Sequence, residues 1–144
     1  MIKQEILTLP ESIYKDIKSH AFSLAPIESC GYLGAKDYEV TSFYPMTNVD
    51  NSDEHFSFDP KEQFAVMKQA RAKGEKLLGV YHSHPASPAR LSAEDVHLFN
   101  DPESIYLIMS LLNDQPELKA FRVKKPSEQE VHVSEVVLDI KKGG

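Results

Sequence analysis

A short apolar run at residues 77–81 leads directly into two histidines, His82 and His84, and this pattern constrains the fold more than any other feature. In a β-strand the side chains at positions i and i+2 share one face, so the two imidazoles would point the same way. Asp95 follows a little further along the chain. Two imidazoles and a carboxylate are typical zinc ligands, and three protein ligands with one open position form the usual catalytic site. The sequence therefore predicts a strand that ends at a metal site made by His82, His84 and Asp95.

Residues 92–95, with the sequence Ser-Ala-Glu-Asp, also fit the beginning of a helix. Ser92 is a preferred N-cap residue, and Glu94 and Asp95 would lie in the first turn, where carboxylates complement the helix dipole. Helix caps are far commoner than metal ligands, so this segment alone favours the cap. The two upstream histidines reverse that preference. The two roles compete at Ser92, because a hydroxyl bonded to its own helix is less free to contact a reacting group.

Glu28 is the candidate for proton transfer. A zinc-bound water must lose a proton before it attacks an electrophile, and a positioned carboxylate can accept it. Glu28 lies where a predicted helix gives way to an apolar strand, a junction that can direct a carboxylate into a cleft. A polar residue near a helix end is more often simply solvated. Cys30 is a possible further ligand, but another protein ligand would close the site, and burial of a small apolar thiol is the favoured interpretation.

Together these residues closely resemble the motif of the JAMM (MPN+) metalloprotease family. That motif consists of an upstream Glu, then His-x-His, seven residues, Ser, two residues and Asp, and it is filled here by Glu28, His82, His84, Ser92 and Asp95. An isolated His-x-His is common in strands, whereas the fixed spacing to Ser-x-x-Asp is specific. The resemblance extends over most of the chain.

The resemblance implies a fold and a reaction. The fold is a single α/β domain with a curved mixed β-sheet packed between helices, similar in layout to the cytidine deaminases. The reaction is zinc-dependent hydrolysis of a peptide or isopeptide bond that follows the Gly-Gly tail of a ubiquitin-like protein. One zinc ion per chain would be held by His82, His84 and Asp95. Glu28 would act as general base and Ser92 would stabilise the oxyanion.

The compact chain is more similar to prokaryotic members of this family, which trim a ubiquitin-like sulfur carrier, than to members with insertions specialised for ubiquitin chains. The expected partner is therefore a ubiquitin-like sulfur-carrier protein that bears a C-terminal extension or a cysteine adduct.

Ser83 and Asn48 are candidates for orienting the metal ligands. The alternative function is that of an MPN-fold scaffold, which would bind ubiquitin-like partners without significant catalysis. No motif residue is missing here, which favours the enzyme.

Two other zinc enzyme classes are excluded by their motifs. Zinc deaminases use His-x-Glu together with Pro-Cys-x-x-Cys, and this chain has one cysteine and no His-x-Glu. The helical zincin motif His-Glu-x-x-His is also absent.

Composition narrows the remaining classes. The chain has 144 residues with 41% hydrophobic content, which suits one domain over residues 1–140 and a flexible tail at 141–144. The net charge of −6 and the absence of long basic runs argue against a nucleic-acid partner. Residues 1–10 do not have the pattern of a signal peptide, so we expect a cytoplasmic protein. The apolar runs are far shorter than the roughly 20 residues of a membrane span, so no membrane contact is expected.

Periodicity and turn signals predict the remaining elements. A first helix is expected after Pro10, and a second helix is expected between an Asp59 cap and Gly74, with Phe64, Met67 and Ala70 on its buried face. Besides the metal strand and the short helix from Ser92, strands are predicted at residues 2–7, 31–35, 38–44, 55–58, 104–112, 118–124 and 130–138.

Overall fold

The computed structural model describes residues 5–142, which form seven strands and three helices. In chain order these are β1 (Ile6–Pro10), α1 (Glu11–Leu24), β2 (Cys30–Lys36), β3 (Glu39–Met46), α2 (Pro60–Ala72), β4 (Lys76–His84), α3 (Ala93–Leu98), β5 (Ile105–Ser110), β6 (Glu117–Ser127) and β7 (Glu130–Lys141). Within this part of the chain, no helix combines the length and apolar character that crossing a membrane requires.

The strands form one mixed sheet that closes into a barrel, in the order β1-β3-β2-β4-β5-β6-β7. The pairs β1–β3, β1–β7 and β4–β5 are parallel, and the others are antiparallel. Closure depends on β1, which pairs with β7 along its whole length but with β3 only at Thr8 and Glu39. The mixed sheet confirms the predicted α/β class, whereas closure by β1 was not predicted. The similarity in layout to cytidine deaminases stays a prediction.

Helices α1 and α2 cover opposite faces of the sheet. Cys30 and Leu33 are three positions apart in β2, so their side chains point to opposite sides. Leu33 belongs to the main core, which includes Ile17 and Ala21 of α1. Cys30 belongs to a second buried cluster, which includes residues of α2. The metal strand β4 therefore runs through a sheet that is packed on both sides.

The second helix begins as predicted but buries a different face. Asp59 caps it by accepting a hydrogen bond of 2.9 Å from the Lys61 N–H. The buried residues are Val66 and Ala70, whereas Phe64 is 59% exposed and Met67 is 48% exposed, so the predicted buried face was wrong for these two. Residues two apart on a helix lie about 200° apart, so a helix that buries Val66 must expose Phe64.

Other element boundaries moved by a few residues. The segment 55–58 has only an isolated bridge between Asn48 and Phe58, not a strand. The last strand continues to Lys141, which pairs with Pro10, so the predicted tail begins one residue too early. Gly143 and Gly144 lie outside the described residues. The predicted strand at 2–7 begins outside the described residues, and the observed strand β1 begins at Ile6.

Candidate metal centre and active site

The metal strand carries both histidines at its end. β4 is flanked along this stretch by antiparallel β2 and parallel β5, so its backbone is held on both sides. His82 lies opposite Cys30 and Ile108 in the ladder. The alternation of the strand puts His82 and His84 on one face, as predicted, and both side chains are buried.

The three predicted ligands converge on one point. The two Nε2 atoms of His82 and His84 are 3.0 Å apart, and the Oδ2 atom of Asp95 lies 3.3 Å from the first and 3.1 Å from the second. A tetrahedral zinc ion with bonds of about 2.0–2.1 Å holds its ligand atoms about 3.3–3.4 Å apart. The donor types and their separations therefore fit a zinc ion bound by three protein atoms. No other group of three or more His, Cys, Asp or Glu side chains in residues 5–142 has this arrangement.

The charge states of Asp95 and His82 suit metal binding. Burial opposes ionisation of Asp95, but hydrogen bonds with His82 and His84 outweigh it and hold the pKa of Asp95 well below its usual range. Burial lowers the pKa of His82, which favours the neutral imidazole that a metal needs. For His84, burial is outweighed by Asp95 and a backbone carbonyl, which raise its pKa.

Neighbouring groups fix the orientation of both imidazoles. The Nδ1 atom of His84 lies 2.8 Å from the Pro88 carbonyl oxygen, so in the neutral ring Nδ1–H donates there and Nε2 keeps its lone pair. His82 is held by packing: the Phe56 ring stacks on it with centroids 4.9 Å apart, and the Phe99 ring meets it edge-on at 5.6 Å. Both Nε2 atoms are thereby directed at the same point.

Glu28 is a buried carboxylate two residues before the start of β2. Its side-chain atom Oε1 has no hydrogen-bond partner among residues 5–142. Burial raises the pKa of Glu28 to about 8, with the charge of His84 acting against this shift and that of Asp95 adding to it. The group is therefore able to exchange a proton near neutral pH. Its backbone is fixed on both sides, since Glu28 N–H donates to the Ser52 carbonyl and Glu28 O accepts from the Asn48 side chain.

Asn48 organises the loop beside Glu28 and does not contact the metal ligands. Its amide Nδ2 lies 3.0 Å from both the Glu28 and His55 carbonyl oxygens. Its Oδ1 accepts from the Asp50 and Ser57 N–H groups at 3.1 and 3.2 Å. The sequence had suggested Asn48 as an orienting residue for the ligands. The structure places it in the loop that follows β3, where its side chain joins Glu28 to other residues of that loop.

Ser83 joins the metal strand to the residue after Glu28. Its Oγ accepts from the Ser29 N–H at 2.8 Å, and the Ser83 N–H donates to the Ser29 carbonyl at 2.9 Å. The Ser29 hydroxyl is hydrogen-bonded in turn to the hydroxyl of Tyr81. Tyr81 and Ser29 were not singled out from the sequence. The available signal was the alternation in β4, where Tyr81 and Ser83 interleave with the two histidines.

Ser92 caps α3 through a reciprocal pair of hydrogen bonds. Ser92 Oγ accepts from the Asp95 N–H, and the Ser92 N–H donates to Asp95 Oδ2, each at 3.0 Å. The predicted competition between cap and catalyst does not arise in this geometry. A hydroxyl that accepts through its lone pair still has its own proton to donate. The cap therefore leaves the Ser92 O–H available to a reacting oxygen.

Cys30 is not part of the donor group. It is fully buried in the cluster beneath α2, with Tyr44, Met46 and Val66 among its neighbours. Burial raises the pKa of the Cys30 thiol to about 12, so the thiolate that a metal would need is strongly disfavoured. Structural burial, the interpretation favoured from the sequence, agrees with this position.

A cavity of about 400 Å³ opens beside Asp95. Its polar lining includes Glu94 and Gln63. Its walls are mainly aromatic and aliphatic, formed by Tyr32, Phe56, Phe58, Val80, Leu98 and Phe99. Since Phe56 and Phe99 also pack on His82, the wall of the cavity and the orientation of a metal ligand depend on the same rings. A cleft of this kind can hold an extended peptide next to Asp95.

Comparison with known proteins places the site in a family. The protein-family model described as prokaryotic homologs of the JAB domain matches residues 10–124 of this chain. The CysO-cysteine peptidase of Mycobacterium tuberculosis is 28% identical over 121 residues, which cover 82% of this chain and 83% of that protein. The desampylase of Haloferax volcanii is 33% identical over 103 residues, which cover 69% of this chain and 74% of that protein.

A solved structure extends the comparison to the whole fold. The solution structure of a Desulfitobacterium hafniense protein superposes with a TM-score of 0.83 at 40% identity, covering 96% of this chain and 94% of that one. The matched family segment contains Glu28, both histidines, Ser92 and Asp95. This chain therefore belongs to the family of prokaryotic homologs of the JAB domain.

Proposed function

We propose that this chain is a zinc-dependent peptidase that hydrolyses the peptide or isopeptide bond after the Gly-Gly tail of a ubiquitin-like sulfur-carrier protein. The observation that carries the proposal is the convergence of His82, His84 and Asp95, together with a buried Glu28 carboxylate whose charge interacts with those of His84 and Asp95. The names of two relatives, a CysO-cysteine peptidase and a desampylase, support hydrolysis by this family.

The three converging side chains would hold the ion. When bound there, zinc would acidify a water molecule and polarise the scissile carbonyl. Glu28 accepts the proton of the attacking water at its unpaired Oε1 and returns it to the leaving amine. Burial raises the pKa of Glu28 to about 8, which brings the exchange of its proton close to neutral pH. Burial of Glu28 also keeps bulk water from competing for that proton.

Ser92 supplies the remaining stabilisation. Its hydroxyl proton is free to donate to the oxyanion that develops as the carbonyl is attacked, while the lone pair of Oγ stays bound to the Asp95 N–H. Loss of one such donor typically costs about 3–4 kcal/mol in the transition state. The short helix α3 thus sets the position of both the donor and the neighbouring ligand.

A Gly-Gly tail has no side chains, so the enzyme must hold it largely through backbone hydrogen bonds. β4 has no free edge at the site, because β2 and β5 occupy both of its sides. Residues 55–58 line the cavity and have a single isolated bridge to Asn48. This segment is our candidate for pairing with the tail.

The test is cleavage of a folded ubiquitin-like sulfur carrier that bears residues beyond Gly-Gly, followed by mass spectrometry. We expect the zinc-loaded protein to release the carrier ending at Gly-Gly, and the Glu28→Gln variant to retain zinc without releasing it. Binding of the carrier without cleavage by the zinc-loaded protein would contradict the enzyme and favour the scaffold. Equal rates on the folded carrier and on its isolated C-terminal peptide would contradict recognition of the folded domain.

A further inference from the structure

The outer face of α2 carries two large apolar side chains that the fold does not use. Phe64 is 59% exposed and Met67 is 48% exposed, although the helix already buries Val66 and Ala70 against the sheet. The rotation of the helix is fixed from the buried side, because the Gln63 side chain donates to the Tyr32 hydroxyl at 2.7 Å. The exposure of Phe64 and Met67 therefore follows from the orientation in which α2 packs on the sheet.

The charges on this face have one sign. Lys68 and Arg71 follow Phe64 at helical spacing. Together with Met67, these three residues form an exposed stripe at positions i, i+3, i+4 and i+7. The Lys68 ammonium lies 4.5 Å from the centroid of the Phe64 ring. The single carboxylate of α2 belongs to Glu62, and it is engaged by the backbone and hydroxyl of Thr47 at 2.8 Å. On a chain with a net charge of −6, this stripe is a local cationic and apolar surface.

The stripe begins one residue after Gln63, which lines the cavity beside Asp95. Gln63 and Tyr32, which are bonded to each other, both line the cavity beside Asp95, and Phe64 is the next residue of the helix. From Phe64 to Arg71 the helix rises about 10 Å, at 1.5 Å per residue. An extended tail rises about 3.3 Å per residue, so four to six residues span roughly 13–20 Å. A tail that runs from the metal ligands along this cavity toward Gln63 therefore brings a folded domain to α2.

We propose that the stripe formed by Phe64, Met67, Lys68 and Arg71 is the docking surface for the folded body of the carrier, through an apolar patch flanked by carboxylates on that partner. This inference rests on the proposed function for the identity of the partner. Exposed aromatic and methionine side chains are typical centres of protein interfaces, and the flanking cations steer an acidic partner and reject a basic one. The tail supplies the reacting bond, and the stripe supplies affinity.

The experiment uses two forms of one probe, a folded ubiquitin-like sulfur carrier. The form ending at Gly-Gly measures binding by titration, and the form with one further residue measures cleavage. In the variant Phe64→Ala/Met67→Ala we expect the dissociation constant and KM to rise about tenfold or more, with kcat unchanged at saturation. In Lys68→Glu/Arg71→Glu we expect a similar rise that diminishes as salt is added.

Matched controls separate docking from general damage. Phe22 on α1 is 54% exposed and lies on the helix that covers the other face of the sheet, so Phe22→Ala should change neither constant. Lys36, exposed at the far end of β2, serves in the same way for charge reversal. Unaltered thermal unfolding is expected for Phe64→Ala/Met67→Ala, because these side chains are outside the core. Lys68→Glu/Arg71→Glu should unfold at a slightly lower temperature, because Arg71 lies in the last turn of α2, where a cation complements the helix dipole.

The outcomes distinguish the two proposals. Cleavage with equal KM in wild type and the α2 variants would overturn the docking surface and leave the reaction standing. Binding that depends on the stripe, without any cleavage, would overturn the reaction and support the surface. Neither binding nor cleavage would overturn both.

Discussion

Asp95 Oδ2 accepts a hydrogen bond from the Ser92 N–H and also faces the Nε2 atoms of both histidines. The carboxylate that completes the cap of α3 is thus the same one that completes the metal site. The cap fixes the carboxylate before a metal arrives, so the helix start and the ligand set form one unit. Six residues of helix are enough for this task, because only the first turn is used.

Replacement of Ser92 tests both of its roles. We expect Ser92→Ala to lower the free energy of unfolding by about 1 kcal/mol, because the Asp95 N–H loses its acceptor. We expect kcat to fall by about 10²–10³-fold through loss of the oxyanion donor. Urea denaturation and steady-state kinetics measure the two effects. Ser92→Thr, which keeps a hydroxyl, is the control, and a stability loss with full turnover in Ser92→Ala would reduce Ser92 to a cap.

Glu28→Gln should separate metal binding from proton transfer. Glutamine has nearly the same shape and can occupy the buried site, but it cannot accept the proton of water. We expect unchanged zinc content and a loss of about 10²–10⁴-fold in kcat, the range for a positioned acid or base. Elemental analysis and turnover are measured on the same preparation. Wild-type turnover in this variant would remove Glu28 from the mechanism.

Zinc should be needed for activity and not for the fold. We expect about one zinc ion per chain in the purified protein, and loss of activity with retention of most secondary structure on chelation. The reason is that the main core, which includes Leu33 and Leu107, forms without the metal ligands. Elemental analysis and circular dichroism provide the readouts. His84→Ala should lose zinc while keeping the fold, and complete unfolding on chelation would contradict the expectation.

Asn48→Ala should damage the position of Glu28 without touching the metal. The substitution leaves the buried carbonyl of Glu28 and the partly buried carbonyl of His55 without their donor, and an unsatisfied buried group typically costs about 1–3 kcal/mol. We expect lower stability and lower kcat with zinc content intact. Asn48→Asp keeps the acceptor but loses the donors, so it should be impaired as well, whereas Thr47→Ala, one residue away, should spare kcat. Equal kcat for Asn48→Ala and wild type would show that Glu28 is positioned by other contacts.

The ion pair of Glu5 with Arg122 predicts a loss of stability in acid. The Arg122 Nη2 atom lies 3.0 Å from Glu5 Oε1, and hydrogen bonds from Arg122 outweigh burial and lower the pKa of Glu5 below its ordinary 4.5. A carboxyl whose pKa is lower in the folded state stabilises the fold above the unfolded pKa. Its contribution is therefore complete above about pH 4.5 and declines as the pH falls through the lower folded value.

Urea denaturation of wild type and Glu5→Gln as a function of pH measures this contribution. We expect Glu5→Gln to be less stable at pH 7, and the difference between the two proteins to shrink at pH 3. Glu117→Gln, in the same strand as Arg122, is the control. A difference that stays constant down to pH 3 would contradict the ionic origin of the effect.

The convergence of the three candidate metal ligands could be predicted from the sequence, because it depends on residues that are close together in the chain. The alternation of His82 and His84 in one strand determines their common face, and the spacing to Ser92 and Asp95 is filled by one tight turn and a helix start. The helices are equally local, since Asp59 and Pro60 mark the beginning of α2.

The remaining features depend on contacts between distant segments. Two sets of apolar residues in α2 have helical spacing, one with Val66 and Ala70 and the other with Phe64 and Met67. The hydrogen bond from Gln63 to Tyr32 of β2 helps to hold the helix with the first set buried. Asn48 reads as one polar residue in a polar loop, and its hydrogen bonds to Glu28 exist only once β2 and β3 have paired. The aromatic wall at Phe56 and Phe99 likewise joins two segments that no short pattern connects.

Barrel closure has a consequence for folding of the nascent chain. Leu7 and Leu9 of β1 are fully buried in the finished protein, but β1 pairs with β3 at a single position. Its continuous partner is β7, near the other end of the described chain, where Ile6 pairs with Val137. During synthesis the edge of β1 that pairs with β7 therefore stays unpaired until β7 has left the ribosome. Contacts of such long sequence separation form late and slow the overall folding rate, so chaperone dependence should be greatest in this interval.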